Sequence, residues 1–299
     1  MQNRRKFIQS SGAAALLGLM PVTASLAKPQ QIMTRLIPGT DEALPVIGLG
    51  NSRAFMSDDQ EASVRLLSTF LDLGGTYVDV SGKSRFTVGK IMADAKAEDR
   101  SFLGNYLSGQ TLTELRSEVD SLQGVQGEGP LDLSMKRDVA DLAERADEFR
   151  ALKEEGLVRY VGIGRPHRRF YSAMMKLMGD GVVDFIQVNY SMLEPQAAND
   201  IIPMAMDKGV AVVINRPFIN GDYFAVVKGH ELPEWAAEFD CASWAQFSLK
   251  YIVSHPGVNC VLTETANPKH VVDNMGAGIG QLPDQKTREK MRAFLLNLT

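Results

Sequence analysis

The stretch Ala211-Val212-Val213-Ile214 is a continuous apolar run, and the polar pair Asn215-Arg216 follows it directly. A strand buried on both faces has this pattern, whereas a strand with one face in water alternates apolar and polar residues. Seven further β-rich runs are separated by longer segments with helical spacing. They cover residues 45–48, 76–80, 101–105, 131–134, 158–162, 184–189 and 258–262. Eight strands alternating with helices predict an α/β fold, a closed parallel (β/α)8 TIM barrel.

Helical patterns fill the intervals between these strands. Apolar residues recur at helical spacing within residues 60–73, from Thr113 onward and within 138–155, and further helices are predicted at 168–177, 197–207, 244–253 and 287–296. Gly156, Gly209 and Gly257 lie between a helix and the next strand, where a C-terminal glycine is expected. Residues 217–239 form a longer connection after the seventh strand. This segment is either an active-face loop or lid, or a surface insertion without a role.

The N-terminus has the three-part layout of a signal peptide. Asn3-Arg4-Arg5-Lys6-Phe7-Ile8 places paired arginines before an apolar run at residues 13–19, and small residues follow at Ser25 and Ala27. The arginine pair is typical of twin-arginine export. The apolar run is shorter than the roughly 20 residues that span a bilayer. We therefore predict a signal peptide at residues 1–27, a barrel domain at 28–299, and a periplasmic protein without a membrane anchor after cleavage.

The bulk composition is that of a globular protein, with 44% apolar and 23% charged residues. A net charge of −4 gives no reason to expect nucleic acid as a partner. Cys241 and Cys260 are the only cysteines, and they can either pair or remain buried thiols, of which we favour thiols. The histidines and cysteines have no metal-ligand spacing, so no metal is predicted. The sequence indicates no oligomeric state.

Four stretches resemble the aldo/keto reductase family. They are Gly74-Gly75-Thr76-Tyr77-Val78-Asp79, Val158-Arg159-Tyr160-Val161-Gly162-Ile163-Gly164, Asp184-Phe185-Ile186-Gln187-Val188-Asn189-Tyr190-Ser191 and Asn267-Pro268-Lys269-His270-Val271-Val272-Asp273-Asn274. The resemblance covers residues 33–296 and implies an aldo/keto reductase-like barrel. It also implies NADP(H) as cofactor and a small carbonyl or alcohol as substrate. In that family a tyrosine donates a proton to the carbonyl as hydride arrives, assisted by an aspartate, a lysine and a histidine.

Only one of these four catalytic side chains is matched here. Asp79 matches the aspartate, but Ser84 takes the tyrosine position, Tyr106 the lysine position and Arg137 the histidine position, the last two within a residue. A serine hydroxyl is a far weaker acid than a phenol, so Ser84 cannot replace the tyrosine. Arg137 is permanently charged and cannot shuttle a proton, but it can hold an anion or a polarised carbonyl. Tyr106 can act as an acid in an altered catalytic site.

The sequence leaves open which lysine would act with Tyr106 and what role Asp79 has. As the acid, Tyr106 would have Lys83 or Lys136 as the partner that tunes its pKa. Asp79 has either a catalytic role or a structural one in an ion pair, for which the candidate partners are Lys83, Arg85 and Arg137.

The resemblance also implies a set of cofactor-binding positions. Gln187 stands where the family binds the nicotinamide carboxamide, and Asn215 replaces the tyrosine that stacks under the nicotinamide. Arg216 can stack or bind phosphate. Glu264 would repel a 2′-phosphate unless it turned to solvent. The candidate cofactor-binding residues are Gln187, Asn215, Arg216, Thr265, His270 and Asn274.

Two positions near the fifth strand also differ from the family. Gly164-Arg165 replaces the Ser-Asn pair that shares the binding of the carboxamide. The basic cluster Arg165-Pro166-His167-Arg168-Arg169 is either a phosphate site or a solvated helix start.

These observations leave two hypotheses of different kinds. The first is a periplasmic oxidoreductase that uses NADP(H) and an altered site around Asp79, Tyr106, Arg137 and Gln187. The second is a catalytically inactive barrel that binds a ligand, a nucleotide or a protein partner. The fold alone does not decide between them.

Overall fold

A computed structural model describes residues 31–50, 53–164 and 167–298. The predicted signal peptide and Arg165 lie outside these residues. The described chain begins with an antiparallel hairpin of β1 (Thr34–Leu36) and β2 (Ala43–Pro45). Ile37 and Leu44 of this hairpin region are buried against the residues inside the barrel. The hairpin therefore closes one end of the barrel, and the sequence analysis did not predict it.

The eight strands that follow form a closed parallel barrel in the order β10-β3-β4-β5-β6-β7-β8-β9. The prediction of a (β/α)8 barrel is confirmed. The first predicted strand, residues 45–48, is wrong in its bounds, because Pro45 pairs within the hairpin. The barrel strands are β3 (Ile47–Leu49), β4 (Tyr77–Asp79), β5 (Phe102–Tyr106), β6 (Leu131–Lys136), β7 (Val158–Gly164), β8 (Phe185–Asn189), β9 (Ala211–Asn215) and β10 (Cys260–Thr263).

Helices cover the outside of the strands. They are α1 (Gln60–Asp72), α2 (Ser84–Ala95), α3 (Leu112–Gln126), α4 (Val139–Glu144), α5 (Ala146–Glu154), α6 (Tyr171–Gly179), α7 (Ile201–Lys208), α8 (Asp222–Val227), α9 (Trp244–Val253), α10 (Pro268–Gly276) and α11 (Gln285–Leu296). Among the described residues, none of the helices has the length and apolar character needed to cross a membrane.

Three helix predictions need correction. The helix predicted over residues 138–155 is divided into α4 and α5 at Arg145, which has non-helical backbone angles (φ −111°, ψ 21°). A 3-10 turn at Arg168–Phe170 replaces the predicted start of α6, and another at Gln196–Asn199 replaces that of α7. The long segment after β9 contains α8 rather than only loop.

The interior of the barrel is filled by side chains at the end near the hairpin. Tyr77 and Phe102 meet edge to face with ring centres 5.3 Å apart, and Tyr160 and Phe185 do so at 5.4 Å. Cys260 lies in the same buried layer, and both it and Cys241 are buried free thiols. Since these aromatic rings fill the barrel below, open space is left only above them, at the carboxyl ends of the strands.

Helix α2 packs against the carboxyl end of α3 through a glycine. A Cβ atom at Gly89 would lie 1.4 Å from the carbonyl oxygen of Val125. By contrast, a Cβ atom at Gly124 in α3 would have no atom within 4 Å. The close approach of the two helices thus depends on the missing side chain at Gly89.

We expect Gly89→Ala to lower the free energy of unfolding by about 3 kcal/mol, because the two helices must separate to accept the methyl group. Gly124→Ala is the matched control and should raise stability by about 0.5–1 kcal/mol, since alanine is the better helix former. Urea unfolding followed by circular dichroism measures both changes. Equal effects of the two substitutions would contradict the close approach.

Candidate functional site

The open space at the carboxyl ends of the strands is a cavity of about 960 Å³. The loops after β3, β4, β7, β9 and β10 contribute to its wall, together with residues at the ends of β5, β6 and β8. Its lining residues are Gly50, Asp79, Ser81, Tyr106, Arg137, Gly164, His167, Gln187, Asn215, Arg216, Pro217, Phe218, Asn220, Gly221, Phe224, Leu262, Glu264, Thr265 and Ala266. Four of these, Asp79, Tyr106, Arg137 and Gln187, are the residues on which the oxidoreductase hypothesis depends.

Three polar side chains form a hydrogen-bonded chain at the floor of the cavity. The Tyr106 hydroxyl donates to Oε1 of Gln187, and Nε2 of Gln187 donates to Oδ1 of Asp79 at 3.5 Å. Asp79 and Gln187 are both buried. Asp79 and Tyr106 end β4 and β5, and Gln187 lies within β8, so adjacent and opposite strands bring the three together although Gln187 is far from the others in sequence.

Gly164, at the end of β7, makes room for this chain. A Cβ atom there would lie 3.0 Å from the Tyr106 hydroxyl oxygen and 3.1 Å from Oε1 of Gln187. Both distances are shorter than an ordinary van der Waals contact. Gly164 is therefore sterically coupled to Tyr106 and Gln187.

Arg137 is the first residue after β6, and its guanidinium carbon lies 4.4 Å from the centre of the Tyr106 ring. This is cation–π geometry. The side chain is exposed to the cavity. The preceding residue, Lys136, is buried and donates to the Gly109 carbonyl at 2.9 Å while it pairs with Asp141. Lys136 is therefore not the partner of Tyr106.

Burial raises the pKa of Asp79 to about 7, from an ordinary 3.8; the positive charge of Arg137 and the hydrogen bond from Gln187 oppose the rise, and Glu264 adds to it. Burial also raises the pKa of Tyr106 well above 10, and the charge of Asp79 adds to that rise. At neutral pH the phenol is therefore protonated, while the carboxyl group is close to half ionised.

The structure shows that none of the three candidate partners forms an ion pair with Asp79. Arg85 pairs with Glu118 at 2.6 Å and also donates to the Tyr106 carbonyl. Lys83 is exposed at the turn before α2. Within the described residues Asp79 has no ion-pair partner, and Arg137 acts on it only at longer range.

Ser84 does not line the cavity. Its side chain is fully buried at the start of α2, where the hydroxyl accepts the Ser81 N–H at 3.1 Å and donates to the Ser81 carbonyl at 2.8 Å. These bonds stabilise the turn that begins the helix. We therefore do not retain Ser84 among the candidate site residues.

Two asparagines at the ends of β8 and β9 have unsatisfied acceptors. Asn189 and Asn215 are opposite each other in the strand register, and Oδ1 of each is buried without a hydrogen-bond partner among the described residues. Asn189 uses its amide nitrogen to donate to Glu194 at 3.0 Å. A buried carbonyl oxygen without a donor is costly, and Asn215 is in the cavity wall, where a bound molecule can supply one.

The segment after β9 forms a strained wall of the cavity. Arg216, Ile219 and Asn220 have positive φ angles of 52°, 50° and 56°, and such a conformation is unusual for a β-branched residue such as isoleucine. Nε of Arg216 donates to Oδ1 of Asn220 at 3.0 Å and holds this turn. Phe224 of α8 lies in the same wall and is 42% exposed. Sequence reasoning missed Phe224, since nothing in the pattern placed α8 over the barrel.

The residues after β10 that the sequence analysis predicts to bind the cofactor divide into two groups. Thr265 lines the cavity, and its hydroxyl oxygen lies 3.2 Å from Nδ1 of His270. His270 is exposed and Asn274 is buried within α10, and the wall of the cavity includes neither of them. In the described part of the chain, no cluster of side chains has the composition of a metal site.

The fold, the position of the cavity and its residues can now be compared with known proteins. The model of the aldo/keto reductase family matches residues 46–291. This chain belongs to the aldo/keto reductase family. A comparison with curated proteins finds no significant match.

Solved structures of the family have the same fold. An aldo-keto reductase from Bacillus halodurans, in its holo form, is 19% identical with a TM-score of 0.71 and covers 90% of this chain and 97% of its own. An enzyme from Klebsiella pneumoniae in complex with NADPH is 18% identical with a TM-score of 0.72, covering 89% and 95%. The glycerol dehydrogenase of Gluconobacter oxydans is 17% identical with a TM-score of 0.69, covering 88% and 94%. At these identities the likeness shows the fold alone.

The raised pKa of Asp79 makes stability depend on pH. The folded protein keeps a proton that the unfolded chain releases between pH about 4 and 7, so this contribution is present below pH 4 and is lost as the pH rises through 7. Asp79→Asn removes the titration. We expect the variant to gain about 3 kcal/mol in unfolding free energy relative to the native protein between pH 5 and pH 8.

Denaturant unfolding at the two pH values measures this difference. Asp207→Asn is the control for the chemical change itself, because that side chain is 71% exposed and lies outside the cavity. A constant difference between the Asp79 variant and the native protein would contradict the raised pKa.

Proposed function

We propose that this protein is an NADP(H)-linked oxidoreductase that interconverts a small carbonyl compound and its alcohol at an altered site. The observation that carries the proposal is the buried chain of Tyr106, Gln187 and Asp79 at the floor of the cavity. It offers a protonated phenol hydroxyl, a group that orients it and a titrating carboxyl at the carboxyl ends of the strands.

The residues present fit a nicotinamide dinucleotide. The cavity extends from Tyr106 to Thr265, next to the amino end of α10, where the helix dipole favours the negative charge of a phosphate. The amide of Gln187 and the unsatisfied oxygen of Asn215 can bind the carboxamide of the nicotinamide. A related structure from Klebsiella pneumoniae has NADPH bound. When bound, the reduced cofactor supplies hydride to the carbonyl carbon.

In this proposal, residues of the chain hold the proton and transfer it to the substrate. The raised pKa keeps Tyr106 protonated until the substrate oxygen gains charge, and the hydroxyl then turns from Gln187 to donate to that oxygen. The guanidinium of Arg137 over the ring stabilises the phenolate that remains. Protonation of Asp79 near neutral pH removes a negative charge that would oppose the phenolate.

The second candidate function is a barrel that binds a ligand, a nucleotide or a protein partner without turnover. Two observations favour it. Ser84, at the position of the family's proton donor, uses its hydroxyl in a helix start. Glu264 lines the cavity near α10 and places a negative charge where a 2′-phosphate would bind.

Binding of NADPH separates the two candidates. Quenching of NADPH fluorescence and a rise in melting temperature are expected for the oxidoreductase. Absence of both at millimolar NADPH, together with no nucleotide in protein purified from the cytoplasm with its signal blocked, would exclude the NADP(H)-linked function.

Tyr106→Phe should lower kcat by about 10²–10⁴-fold with little change in the Kd of NADPH, because it removes only the proton donor. Tyr160→Phe is the matched control. Its hydroxyl donates to Glu42 at 2.8 Å, near the hairpin end of the barrel, so turnover should stay within about twofold. Steady-state oxidation of NADPH with a panel of carbonyl compounds measures both. Unchanged turnover in the Tyr106 variant would exclude that residue as the acid.

We also propose export to the periplasm by the twin-arginine route, supported by Arg4-Arg5 before the apolar run. That route carries folded proteins, so a cofactor bound in the cytoplasm would travel with the barrel. Changing both residues, Arg4→Lys with Arg5→Lys, should leave the precursor in the cytoplasm, whereas Lys6→Arg should still be exported. Cell fractionation with immunoblotting measures the distribution. Continued export of the double variant would contradict twin-arginine dependence.

A further inference from the structure

The charged and basic side chains around the cavity are separated by sign. Arg137, His167 and Arg216 follow β6, β7 and β9. By contrast, Asp79 is the last residue of β4, and Glu264 directly follows β10. Because β6 to β9 are consecutive in the barrel, the basic groups occupy one continuous arc and the carboxylates lie on the other side. A molecule in the cavity therefore meets positive charge along one wall.

Arg137 faces this cavity and has no ion-pair partner among the described residues; Asp79 acts on it only at longer range and is close to half protonated at neutral pH. The acids nearest to it in sequence are already engaged. Asp138 accepts the N–H groups of Ala140 and Asp141 at 3.0 and 3.1 Å as the cap of α4. The carboxylate of Asp141 pairs with Lys136 and, at 2.8 Å, with Arg145. Arg137 has neither an ion pair nor a hydrogen bond to any described residue.

The stacking contact limits where a bound anion would lie. The Arg137 guanidinium carbon lies 4.4 Å from the centre of the Tyr106 ring, so the guanidinium and the Tyr106 hydroxyl face the same part of the cavity. Guanidinium groups bind carboxylates through two parallel hydrogen bonds of fixed geometry. A substrate in which the two groups are neighbours can bind its carboxylate at Arg137 while its carbonyl oxygen reaches the Tyr106 hydroxyl.

We propose that the substrate is a 2-oxo acid, or the matching 2-hydroxy acid, and that Arg137 binds its carboxylate. This assignment rests on the proposed oxidoreductase function for turnover, but the binding of the anion does not. Positive charge from Arg216 on the same arc adds to the attraction, since its Nη groups have no partner among the described residues.

Kinetics with pyruvate and pyruvamide test the assignment. The two have similar size and differ in charge, so the native protein should favour pyruvate in kcat/KM by at least about 10-fold, as expected for a charged hydrogen-bonded pair. Arg137→Gln should lower that ratio by about 10- to 100-fold, and Arg137→Lys should lower it less because it keeps the charge. Arg150→Gln on α5, where the arginine pairs with Asp147 outside the cavity, should leave the ratio unchanged.

Calorimetric binding of oxamate, with oxamide as the neutral control, separates the site from the reaction. Oxamate binding that is lost in Arg137→Gln would support the anion site even if no carbonyl compound is turned over, in which case the oxidoreductase proposal fails alone. Turnover of neutral carbonyls without oxamate binding would overturn the anion site and leave the oxidoreductase proposal standing. An unchanged ratio in Arg137→Gln would also overturn it.

Discussion

The hydrogen bond from the Tyr106 hydroxyl to Gln187 joins β5 to β8 across the mouth of the barrel. Because it is made at the level where the cavity begins, it sets both the floor of the cavity and the surroundings of Asp79. The carboxyl group is left in a buried position beside a neutral amide rather than beside a cation, and its pKa rises accordingly. Arg137 in turn takes its orientation from the Tyr106 ring. This contact therefore links the position of Arg137 to the surroundings of Asp79.

Gly164, Tyr106 and Arg137 are connected physically. Tyr106 needs the space that Gly164 leaves, and its ring is the surface on which Arg137 stacks. Ser84 lies outside this group because its hydroxyl stabilises a helix start. The aromatic core of the barrel lies beneath the three residues.

The sequence predicted the barrel because buried parallel strands have continuous apolar runs, and each barrel strand except the first lies close to its predicted bounds. The strand ends also pointed to Asp79, Tyr106, Arg137 and Gln187, since carboxyl ends of parallel strands meet at one rim. Helix α2 was not predicted, because its buried apolar residues are few and its closest contact with α3 is made by Gly89, which has no side chain. The bonds of Ser84 to Ser81 depend on the backbone conformation of the turn, and the unpaired oxygens of Asn189 and Asn215 depend on contacts between distant segments, which a local sequence pattern does not show.

The close fit around Gly164 also affects how substitutions at this site combine. With Tyr106 in place, a Cβ atom at position 164 would lie 3.0 Å from the hydroxyl oxygen and 3.1 Å from Oε1 of Gln187, so one of these side chains would have to shift to accept it. The effect of a substitution at position 106 or 164 is therefore expected to depend on the residue at the other position, so that the two changes are not additive.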